Sequence, residues 1–268
     1  MKGKTRTIRV LLLRRKKKAI GPQKFQFSGN LLPAWVFCWL LTCLTCFLER
    51  ENYNLFGSLS ILFTQFVIFI PMSTQKSKRS LGPAPLLYPE PALLIATYDA
   101  ENKPNFMTAA WAGICASDPI SLMVAIQPPR HTHKAILARK GFTVCVPSEK
   151  QAAETDFAGL VSGKKYDKFA ACGFTAVKAE HVDAPYIAEC PVILECSLAQ
   201  YTELGTHTIM IAEIKDVKAD EDCLDETGRF PDVEKVLPII FDCGSKNYYG
   251  IGKKLGKGWS IGKSVLNK

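Results

Sequence analysis

Beyond residue 71 the chain has no surplus of charge of either sign: residues 72–268 carry 23 Lys or Arg and 23 Asp or Glu. The formal net charge of +9 therefore belongs to residues 1–71, which hold 11 basic residues (Lys2 to Arg50) against Glu49 and Glu51. A nucleic-acid-binding domain needs a concentration of cations on one surface, and the main part of the chain lacks the charge to build one. Paired cysteines are also missing there. Cys115, Cys145, Cys172, Cys190, Cys196, Cys223 and Cys243 are scattered, no C-x-x-C occurs among them, and several sit in apolar runs such as Phe142-Thr-Val-Cys145-Val. Such positions suit small buried thiols kept reduced, which points to a cytoplasmic setting. Cys190 and Cys196 are too far apart for a zinc knuckle, so no metal site is expected.

Catalytic signatures are scarce as well. Gly258-Trp-Ser260-Ile-Gly262 spells a nucleophile elbow, but only six residues follow and none is Asp, Glu or His, so no triad can be completed. Gly250-Ile-Gly252-Lys-Lys-Leu-Gly256 places its third glycine one position late for a dinucleotide fingerprint, and no βαβ pattern surrounds it. There is no internal repeat. Residues 244–268, rich in Gly and Lys, are expected to be a tail lying over the rest.

What is present begins with an extension. Two apolar runs, 31–48 and 55–71, follow a basic stretch. Each is near the roughly 17–20 residues a membrane-spanning helix needs. Basic flanks outside both runs would put both ends in the cytoplasm, giving a hairpin anchor. The other reading is a non-native upstream segment, since Met72-Ser-Thr-Gln-Lys-Ser-Lys-Arg-Ser resembles an ordinary cytosolic N-terminus. A membrane association is expected only if residues 1–71 belong to the native chain. The second domain spans 76–268.

Within that domain a proline-rich lead-in, Leu81–Pro91, precedes short segments rich in Val, Ile, Thr and aromatics. Strands are expected at 92–98, 104–111, 120–126, 142–146, 191–201, 206–217 and 236–242, and helices at His133–Lys140, Glu149–Gly159 and Tyr166–Cys172. Strands joined by short connections, with helices inserted later, predict a mainly β, antiparallel barrel.

The segment 104–111 departs from ordinary strand alternation with Thr108-Ala109-Ala110-Trp111. Small side chains, a hydroxyl and an aromatic plane suit a planar ligand lying close to the backbone. Alternation puts Thr108 and Ala110 on one face and Ala109 and Trp111 on the other, and either face could meet the ligand. After the third strand, Pro128-Pro-Arg130-His-Thr132-His opens a helix; Thr132 is a suitable N-cap, and Arg130 can grip a phosphate with two hydrogen bonds. His131 and His133 are expected to cap the helix or touch the anion. His181 lies in a polar loop. His207 stands at the mouth of a strand, facing either the site or its own turn.

In their order and spacing, "ATYDAENKPNFMTAAWAG", "DPISLMVAIQPPRHTHKAI", "GFTVCVPS", "SGKKYDKFAACGFT", "DAPYIAECPVILEC" and "LGTHTIMIAEI" resemble the flavin reductase-like family, most closely its flavoredoxin-like branch, across about residues 83–243. The resemblance implies an antiparallel Greek-key split β-barrel holding non-covalent FMN in a homodimer. It implies that Asn105, Thr108, Ala109, Ala110 and Trp111 contact the flavin ring and ribityl chain and that Arg130 and Thr132 take the phosphate. Ser162, Gly163, Lys164, Asp167 and Lys168 form a closing loop, with His207 near the reactive face. The implied activity is electron transfer from NAD(P)H to flavin or another acceptor. An electron carrier fed by a protein donor, and a flavin- or haem-binding module without turnover, are the alternatives on the same fold. Lys164-Lys165-Tyr166 is more basic than a flavin alone requires, and suits a phosphorylated reductant or a solvated lysine pair.

Overall fold

The computed structural model describes residues 7–10, 23–26 and 76–266. The chain divides into two compact units, Met1–Arg79 and Ser80–Lys268. In the first, β1 (Thr7–Val10) and β2 (Gln23–Gln26) pair antiparallel. The two apolar runs expected to form an anchor, and a Cys43-Leu-Thr-Cys46 spacing inside the first of them, lie outside the described residues. Among the described residues, no helix is long and apolar enough to cross a membrane.

The second unit is an antiparallel split β-barrel. Its seven strands are β4 (Leu93–Tyr98), β5 (Pro104–Ala109), β6 (Ala112–Ser117), β7 (Ile120–Ile126), β8 (Gly141–Val146), β11 (Val192–Leu204) and β12 (His207–Ala219). They lie in the order β5-β4-β8-β11-β12-β7-β6. The short β3 (Glu90–Pro91) joins β13 (Ile240–Asp242) and β14 (Asn247–Tyr249) in a second sheet, and β9 (Ala176–Lys178) pairs with β10 (Pro185–Ile187). Helices α1 (His131–Arg139), α2 (Ala152–Leu160), α3 (Lys168–Cys172) and α4 (Val233–Val236) sit in the connections, and α5 (Lys263–Leu266) follows the last strand.

Alternation along the strands divides the apolar residues between two sides. Ile95, Met107, Ala109, Val124, Phe142 and Met210 fill the barrel interior, joined by Ile136 of α1. Leu94, Phe106, Cys145, Ile187 and Ile193 pack on the other side against Ala158 of α2 and Phe169 of α3. The seven cysteines of the described residues are all free.

The long hairpin β11–β12 joins the halves of the sheet. The first half of β11 pairs with β8, from Val192↔Val146 to Ser197↔Gly141, whereas the first half of β12 pairs with β7, from Thr208↔Ile126 to Glu213↔Ser121. Two bulges mark the passage. Cys196 pairs with Ile214 next to Glu195↔Asp216, leaving Lys215 extra on β12; Gln200 pairs with Ile211 next to Leu198↔Ala212, leaving Ala199 extra on β11. Bulges of this kind add local twist, which a closing sheet requires.

Four sequence expectations need correction. The expected strand 104–111 stops at Ala109, and a separate strand, β6, follows a corner at Ala110–Trp111. Ala112-Gly-Ile-Cys-Ala-Ser lacks polar–apolar alternation because β6 is an edge strand with most of its residues exposed. The expected strand 236–242 starts instead with α4: the Asp232 carboxylate accepts the Glu234 N–H, capping a helical turn that ends at Leu237 in a left-handed conformation. Helix α1 begins two residues earlier than expected. The tail does not merely drape, since β14 pairs with β13 through Phe241↔Tyr248, and Tyr248 Oη donates to Asp156 at 3.0 Å.

Candidate functional site

The site is built where β7 runs out. Pro128 and Pro129 cannot continue the strand ladder, and Arg130 follows with extended backbone (φ −67°, ψ 135°) as the N-cap of α1. No side chain caps this helix, and no acidic residue occupies its first turn, so its free N–H groups and positive dipole end are left for an anion. Thr132 is thus not the cap. It sits within the first turn, buried, and its Oγ1 accepts from Asn105 Nδ2 at 2.9 Å. Helical spacing turns His133 the other way, into the interior, where Nε2 lies 2.8 Å from Thr208 Oγ1 and burial lowers its pKa. His133 therefore has no contact with an anion at the helix start.

Opposite α1 stand β5, the end of α2 and the 161–168 segment. Together they enclose a cavity of about 260 Å³ lined by Asn105, Thr108, Arg130, Thr132, Ser162, Gly163 and Lys168, with Met107, Gln127, Pro129, His131 and residues 158–161. Thr108 Oγ1 donates to the Thr155 carbonyl, tying β5 to α2. Arg130 Nη1 donates to the Gly159 carbonyl at 3.3 Å. Gly163 is required by close approach: a Cβ there would collide with the Asn105 side-chain oxygen.

Lys168, expected in a closing loop, is instead deeply buried. Only 4% of it is exposed, and Nζ donates to the carbonyls of Phe106 (2.8 Å) and Ala158 (2.7 Å). Burial first, and the nearby charge of Arg130 second, pull its pKa down to about 8. It is held by α3, whose N-cap Asp167 accepts from the Ala170 N–H; the Asp167 carboxylate also pairs with Lys103 at 3.4 Å. Two cations, a hydroxyl and an open helix start converge on one small space. That donor set fits an anion of phosphate size.

The remaining residues singled out in the sequence lie elsewhere. Ala109 is buried in the barrel interior, which separates it from Ala110 at the partly exposed corner. Trp111, 39% exposed, stacks on His207 with ring centroids 4.7 Å apart and planes inclined by 36°, and His207 Nδ1 lies 2.9 Å from Thr206 Oγ1. This aromatic pair forms a separate surface outside the cavity lining. Lys164 lines a neighbouring cleft, and Asp167 acts through α3. The sequence did not single out Met107, Gln127 or the end of α2. The Pro128-Pro129 stop could have signalled Gln127, whereas Met107 and Ala158 look like ordinary core residues.

Comparison with known proteins adds four findings. The family described as flavin reductase like domain matches residues 86–237. Flavoredoxin of Desulfovibrio vulgaris (Miyazaki F) has a similar structure, with 46% sequence identity and a TM-score of 0.66 over 69% of this chain and 100% of that one. Flavoredoxin from Methanosarcina acetivorans is 28% identical with a TM-score of 0.66, covering 70% of this chain and 99% of its own. A high molecular weight rubredoxin of Moorella thermoacetica is 34% identical over 126 residues, which are 46% of this chain and 54% of that protein.

Proposed function

Because this chain belongs to the flavin reductase-like family, on its flavoredoxin branch, we propose that it binds FMN non-covalently and passes electrons from NAD(P)H to flavin or another acceptor. The observation that carries this reading is the anion cavity at the start of α1, where Arg130 and Lys168 supply two positive charges. The phosphate of FMN belongs there. Bound FMN would supply the redox chemistry, taking up a hydride or single electrons and releasing them again.

The chain's own residues bind and position. Arg130 and the first N–H groups of α1 hold the phosphate, and Ser162 offers a hydroxyl. Thr132 holds the Asn105 amide in one orientation, leaving its oxygen to accept from the ligand or from the turn at Gly163. Thr108 faces α2 and keeps that wall in place. The stacked Trp111 and His207 are assigned to the reacting face, where they shield it from water. Edge strand β6 is assigned to contact with a second copy, because its Ile114 is 66% exposed and Ile120, at the adjoining start of β7, is 58% exposed.

A second reading is an electron carrier reduced by a protein donor, favoured by the 46% identity to a flavoredoxin along that protein's whole length. Anaerobic mixing of the FMN-loaded protein with NADH and with NADPH tests the choice. Bleaching of the flavin absorbance supports the reductase; bleaching only by a reduced redox protein supports the carrier. Failure of the purified protein to bind FMN would sink both.

A further inference from the structure

Beyond β14 the chain leaves the barrel. Residues 247–249 are still tied down, by pairing with β13 and by the Tyr248 bond to Asp156, but every residue from Gly252 to Leu266 is exposed. The side chains presented there include large apolar ones. Leu255 (80%), Ile261, Val265 and Leu266 (85%) stand in solvent, and Trp259 shows its whole surface. Single exposed apolar residues are ordinary, whereas five within one short stretch form a surface that marks an interaction.

Charge is concentrated in the same place. Residues 243–268 hold six Lys and no Asp or Glu, while residues 72–242 hold 17 Lys or Arg against 23 Asp or Glu. The neutral balance of the second unit therefore conceals a basic tail on an acidic body. That body does not gather the tail in: Lys254 reaches Glu234 at 4.0 Å, yet the apolar side chains around it are left in water. Lys253, Lys257 and Lys263 are in no ion pair among the described residues.

The backbone decides between kinds of partner. Glycines at 250, 252, 256, 258 and 262 punctuate the stretch, and α5 is a single turn. Glycine loses more conformational freedom on ordering than any other residue, so a protein pocket demanding one fixed shape is costly to fill with such a segment. A fluid bilayer demands no fixed shape. Its anionic headgroups attract lysines, its interface favours tryptophan, and its outer acyl region accepts Leu, Ile and Val.

We propose that residues 250–268 form a peripheral anchor for an anionic lipid bilayer. Lysines at 253, 257 and 263 meet the headgroups, and Trp259, between the latter two, enters the interface with Leu255 and Ile261. The anchor is separate from the anion cavity and owes nothing to residues 1–71.

The test is co-sedimentation of the full-length protein with vesicles of phosphatidylcholine alone and of phosphatidylcholine with an equal part of phosphatidylglycerol. Wild type is expected to sediment with the mixed vesicles and to be released by salt. Replacing Lys253, Lys257 and Lys263 together by Gln removes three charges worth ~1 kcal/mol each near an anionic surface, an expected loss of about a hundredfold in vesicle affinity. Trp259→Ser is expected to cost about tenfold. Both variants should keep the wild-type urea midpoint and FMN affinity, because neither change touches the cavity lining. Absence of wild-type binding, equal binding to both kinds of vesicle, or binding undiminished in the lysine variant would overturn the anchor. Light scattering without vesicles supplies the remaining outcome: if the substitutions alter the oligomeric state and leave vesicle binding as it was, the tail covers a second copy and the lipid reading is overturned.

Discussion

In Lys168→Met, the ammonium that donates to the carbonyls of Phe106 and Ala158 is replaced by an uncharged chain of similar length. The native lysine titrates at about 8, pulled down from 10.5 by burial and then by Arg130. Between those values the unfolded chain binds more protons than the folded one, so wild-type stability rises from about pH 8 to 10.5. Below the folded pKa the penalty of burying the charge is felt in full. At ~1.4 kcal/mol per pH unit the shift corresponds to about 3 kcal/mol, which residual solvent screening reduces to about 2 kcal/mol. Methionine removes that penalty but leaves two carbonyls without a donor, at ~1–3 kcal/mol each. The effects oppose each other near neutrality, so the variant is expected to be only about 1 kcal/mol less stable near pH 7. By about pH 10 the deficit grows to about 3 kcal/mol, because only the wild type gains stability with pH. Urea unfolding of the flavin-free protein at intervals across this range measures both curves. Parallel curves would refute the reasoning, since other titrating groups are common to both proteins.

Four further outcomes follow from the geometry. Arg130→Ala is expected to weaken FMN about tenfold to a hundredfold while sparing riboflavin, which lacks the phosphate; equal losses in parallel titrations would assign Arg130 to the fold. Ala109→Leu overfills the barrel interior and should cost ~1–3 kcal/mol in urea unfolding, whereas Ala110→Leu at the partly exposed corner should cost clearly less. Gly163→Ala forces the turn off Asn105 and should cost FMN affinity about tenfold with an unchanged unfolding midpoint; undiminished binding would show that the close approach is dispensable. Because burial lowers the His133 pKa below 6.5, its neutral form stabilises the fold at higher pH, and that stability is lost as pH falls from 6.5 through the folded pKa. Thermal unfolding of His133→Gln should accordingly show a shallower decline than wild type between about pH 6.5 and 5.

Strands rich in Val, Ile and Thr were legible in the sequence because their alternation reflects burial on one face or both. Strand β6 was not, because an exposed edge demands no apolar side and Ala112-Gly-Ile-Cys-Ala-Ser has only one bulky β-branched residue, Ile114. At 236–242 the apolar content suggested extension, but a single carboxylate, Asp232, was enough to start a helical turn first. The helix start after Pro128-Pro129 was also legible; its cap was misplaced because Thr132 has the better capping chemistry while the prolines fix where the helix begins. Arg130 could be picked out by its chemistry, whereas Gly163 was reached only through the family resemblance. The burial of Lys168 could not, since nothing local distinguishes it from Lys164 and Lys165 until Phe106 and Ala158 present their carbonyls from distant parts of the chain.

The paired bulges of the β11–β12 hairpin have an evolutionary corollary. Lys215 and Ala199 are extra residues on opposite strands, so the hairpin slips by one position between them and returns to its original register beyond them. Deleting either residue alone would leave the slip uncorrected over one part of the hairpin and turn the side chains there to the wrong face. Deleting both would restore continuous pairing from Val192↔Ala219 to Leu204↔His207, at the cost of the local twist. These two positions, which never pair with each other, should therefore be gained and lost together among descendants of this fold, each tolerable only in the presence of the other.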